Sequence, residues 1–109
     1  ACDTVARGAA RLAGVEPKSF EANEKTLADA HKRLDAAIAY AQSFKPEPAE
    51  GSEARKVMMK TRHAEVEFTG LTYLTEYSLP NLFFHCTTAY DILRVAGVPV
   101  GKKDFLGDR

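Results

Sequence analysis

Residues 56–97 read KVMMKTRHAEVEFTGLTYLTEYSLPNLFFHCTTAYDILRVAG, and within them the hydrophobic period changes from two to about 3.6. In the first part, pairing Lys60 with Glu65 across Thr61–Ala64 sets Met59 opposite Val66 and Val57 opposite Phe68, so that apolar meets apolar. The basic run Arg55, Lys56, Lys60 and Arg62 is read as one strand of a short hairpin rather than a phosphate patch, because Glu65 and Glu67 lie beside it. A lone two-stranded hairpin is marginal in water, so its apolar face is expected to lie on helices. Thr69 then caps a long helix from Gly70 to Ala96, with Gly97 as its stop and Pro99 beyond. Pro80 removes a helical hydrogen bond, which predicts a kink or break at Ser78–Pro80.

Upstream, Asn23 is a candidate N-cap, and Leu27, Leu34, Ile38 and Ala41 recur at helical spacing from Glu24 to Phe44, with Lys25, Lys32 and Arg33 on the opposite side. The proline pair Pro46 and Pro48 closes this helix and opens a loop to Ser52. A first helix ends near Gly14, with Cys2, Val5, Ala9 and Leu12 inward and Asp3, Arg7 and Arg11 outward. Because no capping residue precedes Ala1, this helix is expected to begin upstream. Downstream, 97–109 reads as an extended tail pinned by Phe105 and Leu106.

The 109 residues are 45% hydrophobic, with 15 basic against 15 acidic side chains. One globular domain over 1–109 follows, large enough for its own core. Zero net charge argues against nucleic acid or anionic lipid as partner, since both need clustered cations, and no apolar run reaches the length of a bilayer span. Cys2 and Cys86 form no disulfide framework and no C-x-x-C pair, which points to a reducing, cytoplasmic setting.

The chemistry-bearing residues concentrate on the last helix. A wheel places Leu71, Leu74, Ser78, Leu82, His85, Ala89, Ile92 and Ala96 inward, with His85 near the centre of the buried face and Asn81 and Thr88 toward the same side. Tyr73 and Phe84 fall on an outer flank, with Tyr77 at its border. Buried polar groups need partners, and a bundle core is a usual place for a ligand. His85 is therefore a candidate for binding or proton transfer, the alternative being a core histidine bonded to a carbonyl or a tyrosine. His31, about 40° from Leu27 on its helix, would approach His85 if the two helices are neighbours. His63 is expected in solvent. A helical metal-ligand pair fails, since Ala89 and Thr88 occupy the positions after His85 where a second histidine would stand. Cys2 reads as a small hydrophobe, Asp3 pairs with Arg7, and Gly101-Lys102-Lys103 lacks the rest of a phosphate loop.

Two stretches carry a resemblance: Ala1-Cys2-Asp3-Thr4 through Arg11-Leu12-Ala13-Gly14-Val15-Glu16-Pro17, and above all Leu79-Pro80-Asn81 through Phe84-His85, Thr87-Thr88-Ala89-Tyr90, Ile92-Leu93-Arg94, Gly97-Val98-Pro99 and Gly101-Lys102 to Asp104-Phe105-Leu106-Gly107. The chain resembles an uncharacterised branch of the DinB/YfiT-like superfamily, described only as a domain of unknown function. The resemblance implies an all-α, up-down four-helix bundle with a hairpin before the last helix. It also implies an N-terminal helix that these residues lack, frequent dimers, and a superfamily of metalloenzymes. Classical members hold a divalent metal through three histidines, two of them one turn apart on the last helix, where this chain has only His85.

The leading expectation is thus a bundle that binds a small molecule in a core pocket lined by Asn81, His85, Tyr77, His31 and Thr88, with His85 the catalytic candidate. A divalent-metal-dependent transferase or hydrolase is the alternative, and a structural or dimerisation module a further one. Uncovered helix faces predict a homodimer, or association with the missing N-terminal segment.

Overall fold

The computed structural model describes residues 1–61 and 63–107. Helix α1 spans Cys2–Leu12 and α2 spans Leu27–Gln42, followed after two 3₁₀ turns by strands β1 (Lys56–Lys60) and β2 (Glu65–Thr69). The last helical stretch is continuous: α3 (Gly70–Thr72), a π-helical segment (Tyr73–Ser78) and α4 (Leu79–Val95), with a short α5 (Lys102–Leu106) after it. The fold is mostly helical with one two-stranded antiparallel hairpin.

The hairpin has the expected register, Lys60 opposite Glu65, Met59 opposite Val66 and Val57 opposite Phe68. Val57 and Met59 are buried and pack with Tyr73, and Leu12, Val66, Phe68 and Tyr77 close around them. The outward positions pair by charge, Lys56 with Glu67 at 2.6 Å and Lys60 with Glu65 at 3.4 Å. His63 is exposed, as expected. Arg62, named in the basic run, lies outside the described residues.

Thr69 caps the last helix as expected: its hydroxyl accepts the Thr72 N–H, and the Thr72 hydroxyl accepts the Thr69 N–H. The helix can start there only because Gly70 has no side chain, since a Cβ would lie 1.9 Å from the Ser52 carbonyl oxygen. Pro80 does not break the helix. The turn before it widens instead, and the Leu79 N–H reaches the Leu74 carbonyl five residues back, so the π segment absorbs the irregularity that proline imposes. This also alters the wheel. Tyr73, expected on an outer flank, is 1% exposed because the hairpin covers that flank, whereas Leu71, expected inward, is 52% exposed.

Three further expectations change. The second helix starts at Leu27 with Thr26 as its cap, not Asn23, because Asp29 answers Thr26 in a reciprocal pair of hydrogen bonds. Its expected apolar face is largely open, with Leu27 82% exposed. Arg33, expected to face solvent, instead binds Glu24 at 2.9 Å and the Phe20 carbonyl at 3.0 Å, and approaches Asp3 at 3.8 Å. On α1, the deepest positions are Ala6, Gly8 and Ala10, which flank the Val5, Ala9 and Leu12 stripe. The helix is packed from two sides, by α2 and by the π segment, and only small residues allow both approaches. A Cβ on Gly8 would come within 2.7 Å of the Ser78 hydroxyl. Finally, the tail is not extended throughout: Asp104 accepts the Gly101 N–H at 2.7 Å and starts α5, whose Phe105 meets Tyr90 edge-on at 6.2 Å. Among the described residues no helix is long and apolar enough to cross a membrane.

Candidate functional site

Helix α1 runs antiparallel to the last helix. Arg11 meets Tyr73, Gly8 meets Ser78, and Thr4 lines the same cleft as Asn81. The row Asp3, Arg7, Arg11, four residues apart, therefore forms one wall of a groove. Tyr73, Tyr77 and Asn81 form the opposite wall, and the hairpin end Met59–Thr61 closes it into a cleft of about 310 Å³. On the far side of Arg11 a second cleft of about 490 Å³ runs between the loop Gly14–Pro17 and β1, and Arg11 and Lys60 line both.

An aromatic cluster backs the wall opposite α1. Tyr73 and Tyr77 stack with centroids 5.8 Å apart, and Phe68 meets each of them at 5.9 Å. The buried Tyr73 hydroxyl accepts a 2.9 Å hydrogen bond from Arg11 Nη1, and the guanidinium carbon lies 5.5 Å from the ring centroid. Arg11 is thereby held in place by a side chain that itself cannot move far. Arg55 donates to the Leu12 carbonyl and ties the hairpin to the end of α1. Asp3 is occupied: it pairs with Arg7 at 3.5 Å, as expected, and accepts the Phe20 N–H at 3.2 Å. By contrast, among the described residues Arg11 has no carboxylate partner, and neither the Tyr77 hydroxyl nor the Asn81 amide makes a side-chain hydrogen bond.

The expected pocket residues separate into two sets. Tyr77 and Asn81 line the cleft beside α1. His85, Thr88 and His31 do not, and all three are exposed. The expected burial of His85 is corrected by geometry: the first turn of α1 lies beside Asn81, so the face of α4 one turn further on has no helix against it among the described residues. The His85 ring meets Phe84 edge-on at 5.4 Å, and Thr88 returns its hydroxyl to the Phe84 carbonyl at 2.7 Å. His31 stands on α2, whose main packing is against α1, which leaves it apart from His85.

Among the described residues no three His, Cys, Asp or Glu side chains converge, and both cysteines are half-buried free thiols. The residues missed by sequence reasoning are Arg11, Arg7 and Lys60. A signal for Arg11 was present: Arg7 and Val15 stand four residues before and after it and Gly8 and Gly14 three, so no acid sits where a helix could neutralise it.

A sequence family described as a domain of unknown function, DUF1993, matches residues 1–106. Among curated proteins there is no match. Among solved structures, the crystal structure of a DinB family member from Shewanella denitrificans is similar, with a TM-score of 0.84 and 36% sequence identity over 99% of this chain. The chain spans 61% of the length of that relative.

Proposed function

Since the chain belongs to the DUF1993 family and is DinB-like in structure, we propose that it is a small-molecule-binding protein whose ligand occupies the cleft between α1, the hairpin end and the π segment. The observation that carries this reading is the pair of uncommitted polar groups, Tyr77 Oη and Asn81, lining one cleft of about 310 Å³ beside the stacked rings of Tyr73 and Tyr77. Pockets of roughly this size are the usual form of a small-ligand site, and charged and polar side chains supply most of this one's lining. The ligand position thus moves from the His85 end of the last helix to its π-helical beginning. The helices are read as part of a DinB-like up-down bundle, with this cleft on its hairpin side.

The test is a fragment screen by amide-resolved NMR. Binders should shift the amides of Tyr77, Asn81 and the α1 residues opposite them, and Asn81→Ala should weaken those binders several-fold. Binders that gather instead around His85 and Thr88 would overturn the cleft as the site.

A second reading, association with another copy of the chain, is favoured by the uncovered apolar residues Phe84, Ile92 and Val95 on α4, which are 66%, 64% and 90% exposed. Exposed apolar side chains gathered along one helix mark interaction sites. Sedimentation of the protein across a hundredfold range of concentration tests it, and a monomer throughout would overturn it.

A further inference from the structure

Resting on the small-molecule reading above, we infer that the group recognised in the cleft is an oxyanion, a carboxylate or phosphate carried by the ligand, and that Arg11 is its anchor. The chain as a whole is neutral, with 15 basic and 15 acidic residues, but its charge is not spread evenly. The smaller cleft sets Arg7, Arg11 and Lys60 against one carboxylate, Asp3, and the larger sets Arg11, Arg55, Lys56 and Lys60 against Glu16 alone. Nearby acids are already engaged: Asp3 with Arg7 and Arg33, Glu65 with Lys60, and Glu67 with Lys56. Arg11 is the cation common to both clefts that has no carboxylate partner among the described residues.

Its setting suits an oxyanion. A guanidinium carries five N–H donors in a planar fork that matches carboxylate and phosphate oxygens, and Arg11 commits one nitrogen to Tyr73 Oη. Because Tyr73 is 1% exposed, that bond holds the fork before a ligand arrives, which lowers the ordering cost of binding. The Tyr77 hydroxyl and the Asn81 amide then stand as neutral hydrogen-bonding groups in the same cleft, able to take the remaining oxygen or the ligand body.

The experiment titrates the protein with benzoate, phenyl phosphate and the neutral benzamide, following the amides of Tyr77 and Asn81 and the Arg11 side-chain Nε–H by NMR. The expected result is that both anions bind in the cleft and benzamide binds far more weakly. Arg11→Gln should raise the dissociation constants of the anions about tenfold, the loss of a charge-assisted hydrogen bond, and the stronger of the two anions assigns carboxylate or phosphate as the source. Arg7→Gln, on a side chain already paired with Asp3, should give a smaller increase in the same direction and guards against misfolding of the Arg11 variant. If benzamide binds as tightly as benzoate and Arg11→Gln changes neither, the oxyanion inference fails while the small-molecule reading stands. If none of the three probes moves the cleft amides at millimolar concentration, both fail.

Discussion

The π segment with its flanking turns and α4 belong to one continuous helix, yet Tyr73 near its start is 1% exposed and Val95 at its end is 90% exposed. Both stretches are rich in apolar and aromatic side chains, and α4 has no buried residue at all. The difference lies in what is packed against them. The hairpin lays Val57, Met59 and Phe68 over Tyr73, and α1 presses Gly8 against Ser78, whereas among the described residues α4 meets α1 only at its first turn and α5 edge-on through Tyr90 and Phe105. Hydrophobicity in a helix is thus a demand for cover, and the tertiary arrangement decides where the demand is met. The clefts around Arg11 lie at the covered end, where rigid walls can hold a guanidinium in place.

The comparison can be broken most directly by truncation at its two ends. Tyr73→Ala should lower the unfolding free energy by about 3–5 kcal/mol, as for other buried aromatic residues, read from urea denaturation. At concentrations where the protein is monomeric, Ile92→Ala should change it by less than about 0.5 kcal/mol. Equal losses would show that α4 is covered as well as the π segment.

A smaller effect sharpens the reason for the cover. Gly8→Ala forces a Cβ to within 2.7 Å of the Ser78 hydroxyl, and overpacking of this kind costs about 1–3 kcal/mol. Adding Ser78→Ala should restore most of the loss, because the next contact is an ordinary 3.9 Å. Failure of that rescue would mean that close helix approach is not what makes Gly8 necessary.

The next effect concerns α2, which resembles α4 in its open apolar side chains and has a well-formed start. Thr26→Ala should cost about 1 kcal/mol, the usual worth of an N-cap. The Thr26 hydroxyl first, then the Lys25 N–H, hold the Asp29 carboxyl below its ordinary value against an opposing desolvation, and the Thr26 N–H adds to the lowering. A carboxylate with a lowered folded pKa contributes stability that is present above the ordinary value of about 3.9 and lost as pH falls below it. Protection of the amides in the first turn of α2 against hydrogen exchange, relative to their intrinsic rates, should therefore fall below about pH 4, and Thr26→Ala should shift the Asp29 titration, followed by carboxyl-carbon NMR, back toward the ordinary value.

The smallest effect is at the hairpin rim. Glu65→Gln removes the exposed pair with Lys60 and should change stability by at most about 0.5 kcal/mol, as measured by thermal unfolding. A larger loss would show that the rim pair, rather than Val57 and Met59, fixes the register.

What was legible in the sequence was local. The hairpin register followed from period-two alternation and one short turn, the Thr69 cap from a hydroxyl at the start of a helical pattern, and the Asp3–Arg7 pair from four-residue spacing. The cap of α2 was misjudged because Asn23 and Thr26 are both good caps, and the choice rests on Asp29 answering Thr26. Two of the five expected pocket residues, Tyr77 and Asn81, did reach one cleft, while His85, Thr88 and His31 did not join it.

The sequence by itself determined the order of the two long helices, the hairpin and the last helix, that Lys60 faces Glu65, and that Asn81 and His85 share one side of a helix, because each depends on groups a few residues apart. Only the tertiary structure decided which side of that helix is covered, since a wheel weighs large side chains and overlooks Ala6, Gly8 and Ala10, whose smallness lets helices approach. It also decided where charge gathers, because Arg11 and Tyr73 are 62 residues apart and no local rule joins them.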